Sequence, residues 1–236
     1  AERQLVNYLL CAERREFRHT VLCLAGSGEL ADKVEAAGIP VLALHLRTRG
    51  VIGGLWRLAR WLRRENVAVV HTHMHHAALW GRLAGRLAGV PVLVTTEHGK
   101  ELWKSRWRVA VDHELSRWTA RHIAVSQDGL DIRLRRERVA PERILLIPNG
   151  VPIPSDWLNQ AGRARVRGEF DLPDEVPVVG TVGRLVEAKG YEHLIEALRL
   201  LRPDFPNLRW LAVGDGERRE TLATIARERG LRDGVI

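Results

Sequence analysis

Short runs of β-branched and aliphatic residues alternate along the first part of the chain with longer segments in which apolar residues recur at helical spacing. Runs of this length and composition are typical of buried strands, and each is followed by enough residues for a helix. Regular alternation of strands and helices predicts a parallel sheet covered by helices, the α/β class. The runs occupy residues 20–24, 41–46, 67–71, 92–96, 122–125 and 144–147.

A cluster of prolines followed by a polar, arginine-rich stretch interrupts this pattern, and a second alternating series then begins. Such clusters between periodic segments mark loops and domain boundaries. The second series has predicted strands at 178–182 and 208–213, a helix at 192–201 and a further helix that ends near Arg229. The predicted parts are an N-terminal α/β domain at 1–150, a linker at 151–176 and the start of a second α/β domain at 177–236.

Both ends of the sequence lead us to expect part of a longer protein. Residues 1–10 already have helical periodicity, with Leu5, Val6 and Leu9 directed inward, and no strand precedes them. Residues 234–236 resemble the start of another strand. Because sheets usually contain five or six strands, we expect the first domain to lack its first strand and the second to continue beyond residue 236.

Composition limits the class of protein and its partners. The 236 residues include 37 Lys and Arg against 29 Asp and Glu, a formal net charge of +8, which favours nucleic acid, acidic lipid or nucleotide phosphate as a partner. Cys11 and Cys23 have no metal-binding spacing and form no disulfide framework, so a reducing cytoplasm fits best. No apolar run approaches the roughly 18 residues of a membrane-spanning helix.

The most informative segment is the glycine turn that follows the predicted strand at 178–182. Gly183 permits close backbone approach, and Arg184 and Lys189 lie between the strand end and the next helix. In an open α/β sheet, ligands bind at that position, and an arginine fork beside a mobile lysine suits a diphosphate. The alternative interpretation is a solvated loop with two ordinary surface cations.

Several other turns follow predicted strands and are candidates for ligand contact. Gly214 and Gly216 form a βα turn that suits the close approach of a flat or phosphorylated ligand. His73 and His98 follow two neighbouring strands of the first domain, where an imidazole could bond to hydroxyls or phosphate. For each, the alternative is an ordinary turn.

Two further motifs suggest other chemistry. The histidine-rich run at 71–76 resembles a metal-binding run of metallo-β-lactamase-type enzymes, but positions 77 and 78 are alanine where that run needs Asp and His, so we predict no metal site.

Gly26 and Gly28 fit a loose dinucleotide fingerprint, with Arg47 and Arg49 where an acidic residue is expected, which leaves an NADP-dependent oxidoreductase as an alternative. A basic nucleic-acid-binding module is another, although the arginines are dispersed over many helices.

The helix predicted after Gly54 is amphipathic and basic. One face is predicted to pack inward, and Trp61 lies beside a cluster formed by Arg57, Arg60 and Arg64 on the other face. This surface could contact anionic lipid headgroups, or it could be a solvated outer face. Trp103 and Trp107, interleaved with basic residues, have a similar character. The inward positions are Ile52, Leu55, Leu58, Ala59 and Leu62.

Taken together, the motifs resemble the family 4 glycosyltransferases, retaining nucleotide-sugar enzymes of the GT-B type with two Rossmann-like domains. The resemblance spans nearly the whole chain, and its most specific part is Gly-Arg-Leu-Val-Glu-Ala-Lys-Gly at 183–190. The other parts, in the family's order, are Ala-Glu at 1–2, Val-Val-His-Thr-His at 69–73, Thr-Glu-His-Gly at 96–99, Ile-Ala-Val-Ser at 123–126, Ile-Pro-Asn-Gly-Val at 147–151, Leu-Ile-x-Ala at 194–197 and Val-Gly-Asp-Gly at 213–216.

The resemblance implies roles for particular residues. Arg184 and Lys189 bind the donor diphosphate and stabilise its charge as the glycosidic bond breaks, with Gly183, Gly214 and Gly216 also in the donor site. His98 lies near the donor sugar, and His73 and His98 are on the acceptor side. The implied reaction transfers a sugar from a UDP- or GDP-sugar to a saccharide or lipid-linked acceptor with retention of configuration, without a covalent sugar intermediate, cofactor or metal.

The resemblance also implies a setting for the protein. It fits a bacterial enzyme of cell-surface polysaccharide or glycolipid synthesis, in the cytoplasm and peripheral on the inner face of the plasma membrane, with no nucleic-acid partner. Two parts of the family pattern fall outside this sequence, namely the glycines before Ala1 and a carboxylate motif beyond residue 236. We therefore expect the chain as given to be a poor or inactive catalyst.

Overall fold

The computed structural model describes residues 1–12, 16–45, 51–99, 103–153 and 160–231. The chain divides into two compact units, Ala1–Pro152 and Ile153–Ile236, each with its own parallel strands and covering helices. The predicted α/β class with parallel sheets is therefore confirmed.

The first unit alternates helices and strands in the predicted order. Its helices are α1 (Glu2–Cys11), α2 (Ala31–Ala36), α3 (Val51–Arg64), α4 (His75–Ala88), α5 (Arg106–Ser116) and α6 (Gln127–Arg135). Its strands are β1 (Val21–Cys23), β2 (Val41–Ala43), β3 (Val69–His73), β4 (Val92–Glu97), β5 (Arg121–Ala124) and β6 (Ile144–Leu146). In the part of the chain that the structure describes, β1 pairs with β2, and a separate sheet has the order β3-β4-β5-β6.

Strand β3 lies two residues later than the pattern at 67–71 predicts. Val67 instead lies in the turn that follows α3, where its backbone N–H donates to the carbonyl of Leu62 (3.1 Å) and its side chain packs against the core of α3 and α4. The shift makes His73 the last residue of β3. Because His73 pairs in register with Thr96 of β4, the two strands end at the same edge of the sheet.

The helices pack closely on the sheet in the first unit. A Cβ at Gly81 of α4 would overlap the side chain of Thr72, so this glycine allows the helix to approach β3. One prediction for α3 is wrong, because Ile52 is 74% exposed rather than inward. Trp61 is partly buried and packs against the core of α3 and α4.

The second unit repeats the alternation on a smaller scale. It contains α7 (Gln160–Glu169), β7 (Val178–Val182), α8 (Tyr191–Leu201), β8 (Arg209–Val213) and α9 (Arg219–Glu228), and β7 pairs with β8 in parallel. Helix α7 lies within the segment predicted as a linker. The indole N–H of Trp210 donates to the hydroxyl of Thr181 (2.9 Å), which ties the two strands together beside the core. The core residues are Leu185, Tyr191, Ile195, Leu198, Trp210, Leu222, Ala226 and Leu231.

Candidate active site

Three histidines meet at the carboxyl ends of β3 and β4. His71 and His73 are two residues apart on a strand and therefore lie on the same face, with ring centroids 4.4 Å apart. The Nδ1 atom of His73 is 3.2 Å from Nε2 of His98, and the two rings stack. The Nε2 atom of His71 is 2.7 Å from the hydroxyl of Thr96. The predicted acceptor-side residues, His73 and His98, are thus brought into direct contact.

The three imidazoles favour the neutral state. Burial and the neighbouring His98 lower the pKa of His71 to about 4. Burial, His71 and His98 lower the pKa of His73 to about 3, and burial lowers the pKa of His98. A neutral imidazole both donates and accepts a hydrogen bond, which suits a sugar hydroxyl better than two cationic donors would.

A cluster of opposite charges is buried on the other face of the end of β4. We call these residues the buried charge cluster, and each is at most 5% exposed. The Lys104 ammonium is 2.7 Å from the Asp112 carboxylate, 3.0 Å from Glu137 and 3.3 Å from Glu97. Its members are Arg82, Glu97, Lys104, Asp112, Arg133 and Glu137.

The arginines complete the pairing of the buried charge cluster. Arg82 pairs with Asp112, and Arg133 pairs with both Glu97 and Glu137. Burial alone would raise the pKa of Asp112, but Arg82 and Lys104 outweigh burial and lower it. Glu97 immediately precedes His98, so the cluster fixes the strand end from which His98 projects.

Sequence reasoning missed the buried charge cluster. Charged side chains are rarely fully buried unless paired, so residue type alone predicts an exposed position for each of these residues. The available signal was weak. Arg133 and Glu137 are four residues apart, the spacing of a helical ion pair, but exposed helices show the same spacing.

In the second unit, the loop after β7 presents two cations. Arg184 and Lys189 are exposed, and among the residues that the structure describes neither side chain has a hydrogen bond or ion pair. Lys189 lies in a short 3-10 turn, Glu187–Lys189, that ends at Gly190 with φ +65°. Its Cε atom is 3.9 Å from the point where a Cβ on Gly183 would lie, so the lysine stem passes over this glycine.

The turn after β8 packs directly against the loop after β7. A Cβ at Gly214, which has φ +149°, would overlap the carbonyl oxygen of Gly183, and a Cβ at Gly216 would overlap that of Leu185. Two backbone hydrogen bonds join the turns, from Gly183 N to Val213 O (3.0 Å) and from Leu185 N to Asp215 O (2.9 Å). The predicted donor-site glycines and Lys189 therefore form one local structure. Gly180, by contrast, needs no close approach, since an added Cβ meets no heavy atom within 4 Å.

The other candidate motifs find less support in the structure. Among the described residues, no group of three or more His, Cys, Asp or Glu side chains is arranged to hold a metal ion. A Cβ at Gly28 would meet nothing within 4 Å, so this turn does not require the glycine that a dinucleotide fingerprint uses for close approach. Arg47 and Arg49, on which the NADP alternative depends, lie outside the described residues.

Two family models match the chain. The model of Glycosyltransferase Family 4 matches residues 1–153, and the model of Glycosyl transferases group 1 matches residues 163–236. The fold is also similar to the crystal structure of HepE from Anabaena in complex with UDP and glucose, with a TM-score of 0.82 and 21% sequence identity. That likeness covers 100% of this chain and 65% of HepE.

Curated relatives match across most of the chain. Alpha-D-kanosaminyltransferase of Streptomyces kanamyceticus is 29% identical over 231 residues, which is 86% of this chain and 59% of the relative. The GDP-mannose-dependent alpha-(1-6)-phosphatidylinositol monomannoside mannosyltransferase of Mycolicibacterium smegmatis is 35% identical over 166 residues, 67% of this chain and 41% of the relative. The chain therefore spans about three fifths or less of the length of these two relatives.

The fold and the matches define the class of the protein as a GT-B glycosyltransferase, in which two Rossmann-like units are joined in one chain. Within that class, the chain belongs to glycosyltransferase family 4, whose model covers more than half of it. The resemblance noted from the motifs is thereby confirmed.

The buried histidines make the stability of the first unit dependent on pH. Burial, Arg82 and Arg133 lower the pKa of His122 to about 3, whereas histidine in an unfolded chain has a pKa of about 6.5. Between these values only the unfolded state binds the proton, so this contribution to stability is complete above about pH 6.5 and declines as the pH falls. We expect the Tm to fall between about pH 6.5 and 4, by roughly 2–4 °C per kcal/mol lost.

His122→Leu should reduce the slope of Tm against pH in this window. His193→Leu, which removes an exposed imidazole from the second unit, is the matched control and should leave the slope unchanged. Thermal scans at half-unit pH intervals make the comparison. Identical slopes for His122→Leu and the wild-type protein would contradict the claim that burial of His122 contributes to the pH dependence of the Tm.

Gly214→Ala should disrupt the contact between the turns that follow β7 and β8. The methyl group would overlap the Gly183 carbonyl oxygen, and a left-handed conformation adds about 1–3 kcal/mol of strain. We therefore expect a lower Tm in thermal scans. Gly180→Ala, where the added methyl has open space, is the control and should lower the Tm less. Equal Tm values for the two variants would contradict the close packing at Gly214.

Proposed function

We propose that the protein transfers a sugar from a UDP- or GDP-sugar to a hydroxyl of a saccharide or lipid-linked acceptor, with retention of anomeric configuration. The second unit binds the donor, and the carboxyl edge of β3 and β4 in the first unit binds the acceptor. The biological role would be the synthesis of a cell-surface polysaccharide or glycolipid. Alpha-D-kanosaminyltransferase and the GDP-mannose-dependent mannosyltransferase named above support transfer of a sugar, and only the second name states a donor, GDP-mannose.

The main support is the pair of unpaired cations on the glycine loop after β7. A buried or paired cation could not approach a new anion without losing its partner, but Arg184 and Lys189 have none to lose among the described residues. They lie at the carboxyl end of a parallel strand, next to the start of α8, where backbone amides and the helix dipole also favour an anion. HepE, with a similar fold, binds UDP and glucose.

The proposed mechanism uses these cations at the leaving group. As the glycosidic bond breaks, negative charge grows on the diphosphate, and Arg184 and Lys189 stabilise it more strongly in the transition state than in the bound donor. We expect no metal or other cofactor to be required, because the two cations would supply the charge at this position. The acceptor hydroxyl attacks from the face that the diphosphate leaves, which retains the configuration, and we assign no protein nucleophile.

The neutral histidines of the first unit would bind hydroxyl groups. His73 Nε2 and His98 Nδ1 have no hydrogen-bond partner among the described residues, so each imidazole retains one ring nitrogen for a further bond. A buried polar atom without a partner is unusual in a folded protein. Hydrogen bonds to hydroxyls of the acceptor would account for both nitrogens.

Removal of either cation should weaken donor binding. Charge-assisted hydrogen bonds contribute about 1.5–3 kcal/mol, so Arg184→Ala and Lys189→Ala should each raise the Kd for UDP or GDP roughly tenfold or more. Isothermal calorimetry with UDP and GDP on the chain itself measures the effect. Arg165→Ala, an exposed arginine on α7, makes the same charge change away from the loop and should bind as wild type.

The proposal fails if the chain binds neither nucleotide, or if the double variant of Arg184 and Lys189 binds as well as the wild type. The stereochemistry needs the protein expressed from its complete coding sequence. Proton NMR of the transferred sugar during reaction with a panel of nucleotide sugars reports the configuration of the first product, and an inverted product would exclude the retaining mechanism.

We further propose that the protein is cytoplasmic and rests on the inner face of an anionic membrane through the outer faces of α3 and α5. On α3, Ile52 and Trp56 are 74% and 55% exposed and precede the exposed basic end of the helix. On α5, Trp107 is 64% exposed and stacks with Arg108. Exposed Trp beside Arg suits the headgroup region. None of the described helices is long and apolar enough to span a membrane.

The membrane contact is tested by flotation with two kinds of vesicle. One is phosphatidylcholine alone, and the other is phosphatidylcholine in which a quarter of the lipid is replaced by anionic phosphatidylglycerol. Arg57 is partly buried, so the exposed set Arg60, Arg63 and Arg64 is the better target for change to Gln. At about 1 kcal/mol per charge, the triple variant should bind anionic vesicles roughly a hundredfold more weakly.

The matched control changes three exposed arginines of the second unit, Arg163, Arg165 and Arg227, to Gln. Equal loss of flotation in both triple variants would indicate a response to net charge alone. Absence of wild-type flotation with anionic vesicles would exclude this surface as a membrane contact.

A further inference from the structure

Met74 has a backbone conformation that is normally reserved for glycine. Its φ is +73° and its ψ is 159°, a region in which a Cβ collides with the neighbouring backbone. The residue joins the end of β3 to the start of α4. A non-glycine residue at this position is strained, and such strain persists only where something compensates for it.

The local fold does not require a methionine here. The Met74 N–H donates to the carbonyl of Thr96 (3.1 Å), and the Met74 carbonyl accepts from the N–H of Ala78 (2.9 Å). Both bonds use backbone atoms, so glycine would form them without strain. The side chain is 52% exposed, which leaves little burial to offset the unfavourable conformation.

The position of Met74 suggests what compensates for the strain. It directly follows His73, which stacks on His98, and it directly precedes His75, whose ring meets Trp103 edge-on at 5.1 Å. It therefore lies at the carboxyl edge of β3 and β4, where α/β sheets bind ligands. An apolar, flexible thioether beside hydroxyl-binding imidazoles suits a ligand with both carbon and hydroxyl surfaces.

We propose that Met74 is a specificity-determining residue whose side chain packs against the nonpolar carbon surface of a glycoside acceptor. This inference rests on the proposed function, which assigns the acceptor to this edge of the first unit. The strained conformation aims the side chain at the acceptor, and the neighbouring imidazoles bond to the acceptor hydroxyls. Glycine would relieve the strain but lose the contact.

The chain offers a direct probe, because Met74 is its one methionine. In protein labelled with methyl-13C methionine, the Met74 methyl resonance is assigned by comparison with Met74→Leu. Methyl and n-octyl β-D-glucopyranoside, galactopyranoside and mannopyranoside are then titrated below their micelle concentrations. We expect a saturable shift that is larger for at least one octyl glycoside than for its methyl counterpart. No shift with any of the six glycosides would overturn the proposal.

Variants at this position separate the contact from the strain. Relative to the wild type, Met74→Ala retains the strained backbone and loses the side chain, whereas Met74→Gly loses both. We expect Met74→Gly to have a higher Tm than Met74→Ala, and both to bind the responsive octyl glycoside several-fold more weakly by calorimetry. Met74→Leu should bind within about twofold of the wild type, a difference of about 0.4 kcal/mol. Wild-type affinity in both the Ala and Gly variants would overturn the proposal.

A UDP titration distinguishes this inference from the proposed function. The second unit should bind UDP equally in the wild type and in every Met74 variant. If the wild-type protein does not bind UDP, the proposed donor site is contradicted. If it binds UDP but shows no response to the glycosides, only the proposed role of Met74 is contradicted.

Discussion

Six buried charges hold the polar edge of the first unit together. Burial of an ion costs several kcal/mol unless partners compensate, and Lys104, placed among three carboxylates, has that compensation. The pairs join α4, the end of β4, α5 and α6, so a change at any member leaves an uncompensated charge in the interior. Because side chains alternate along a strand, Glu97 points into the buried charge cluster, whereas Thr96 and His98 point to the opposite face and contact His71 and His73.

The second unit reaches a similar local order by different means. Its turns after β7 and β8 are held by backbone contact, since Gly214 and Gly216 lie against the carbonyls of Gly183 and Leu185. Among the described residues, the side chains of Arg184 and Lys189 in this loop make no hydrogen bond or ion pair, whereas Leu185 packs into the core. The two units therefore differ in chemistry: the first presents neutral imidazoles suited to hydroxyls, and the second presents cations that have no partner in the described part of the chain and are suited to phosphate.

The parts of the fold that depend on local pattern were predictable. The strand at 178–182 has the predicted bounds, and β4 differs from its predicted range by one residue. The glycine turns and the cations between strand and helix were also found by spacing. The error at Ile52 has a tertiary cause, because the residue satisfies the periodicity of α3 but is 74% exposed and lies outside the core that α3 forms with α4.

The sequence by itself determined the α/β class, the family and the identity of the residues at the strand ends, because periodicity, glycine turns and motif order are local properties of the chain. Only the tertiary structure decided which of those residues act together. The contact of His73 with His98, the burial of Lys104 among three carboxylates and the strained backbone of Met74 each depend on segments brought together across the sheet. Residue type alone predicts exposed charges and an unstrained methionine, and pairing and register reverse both expectations.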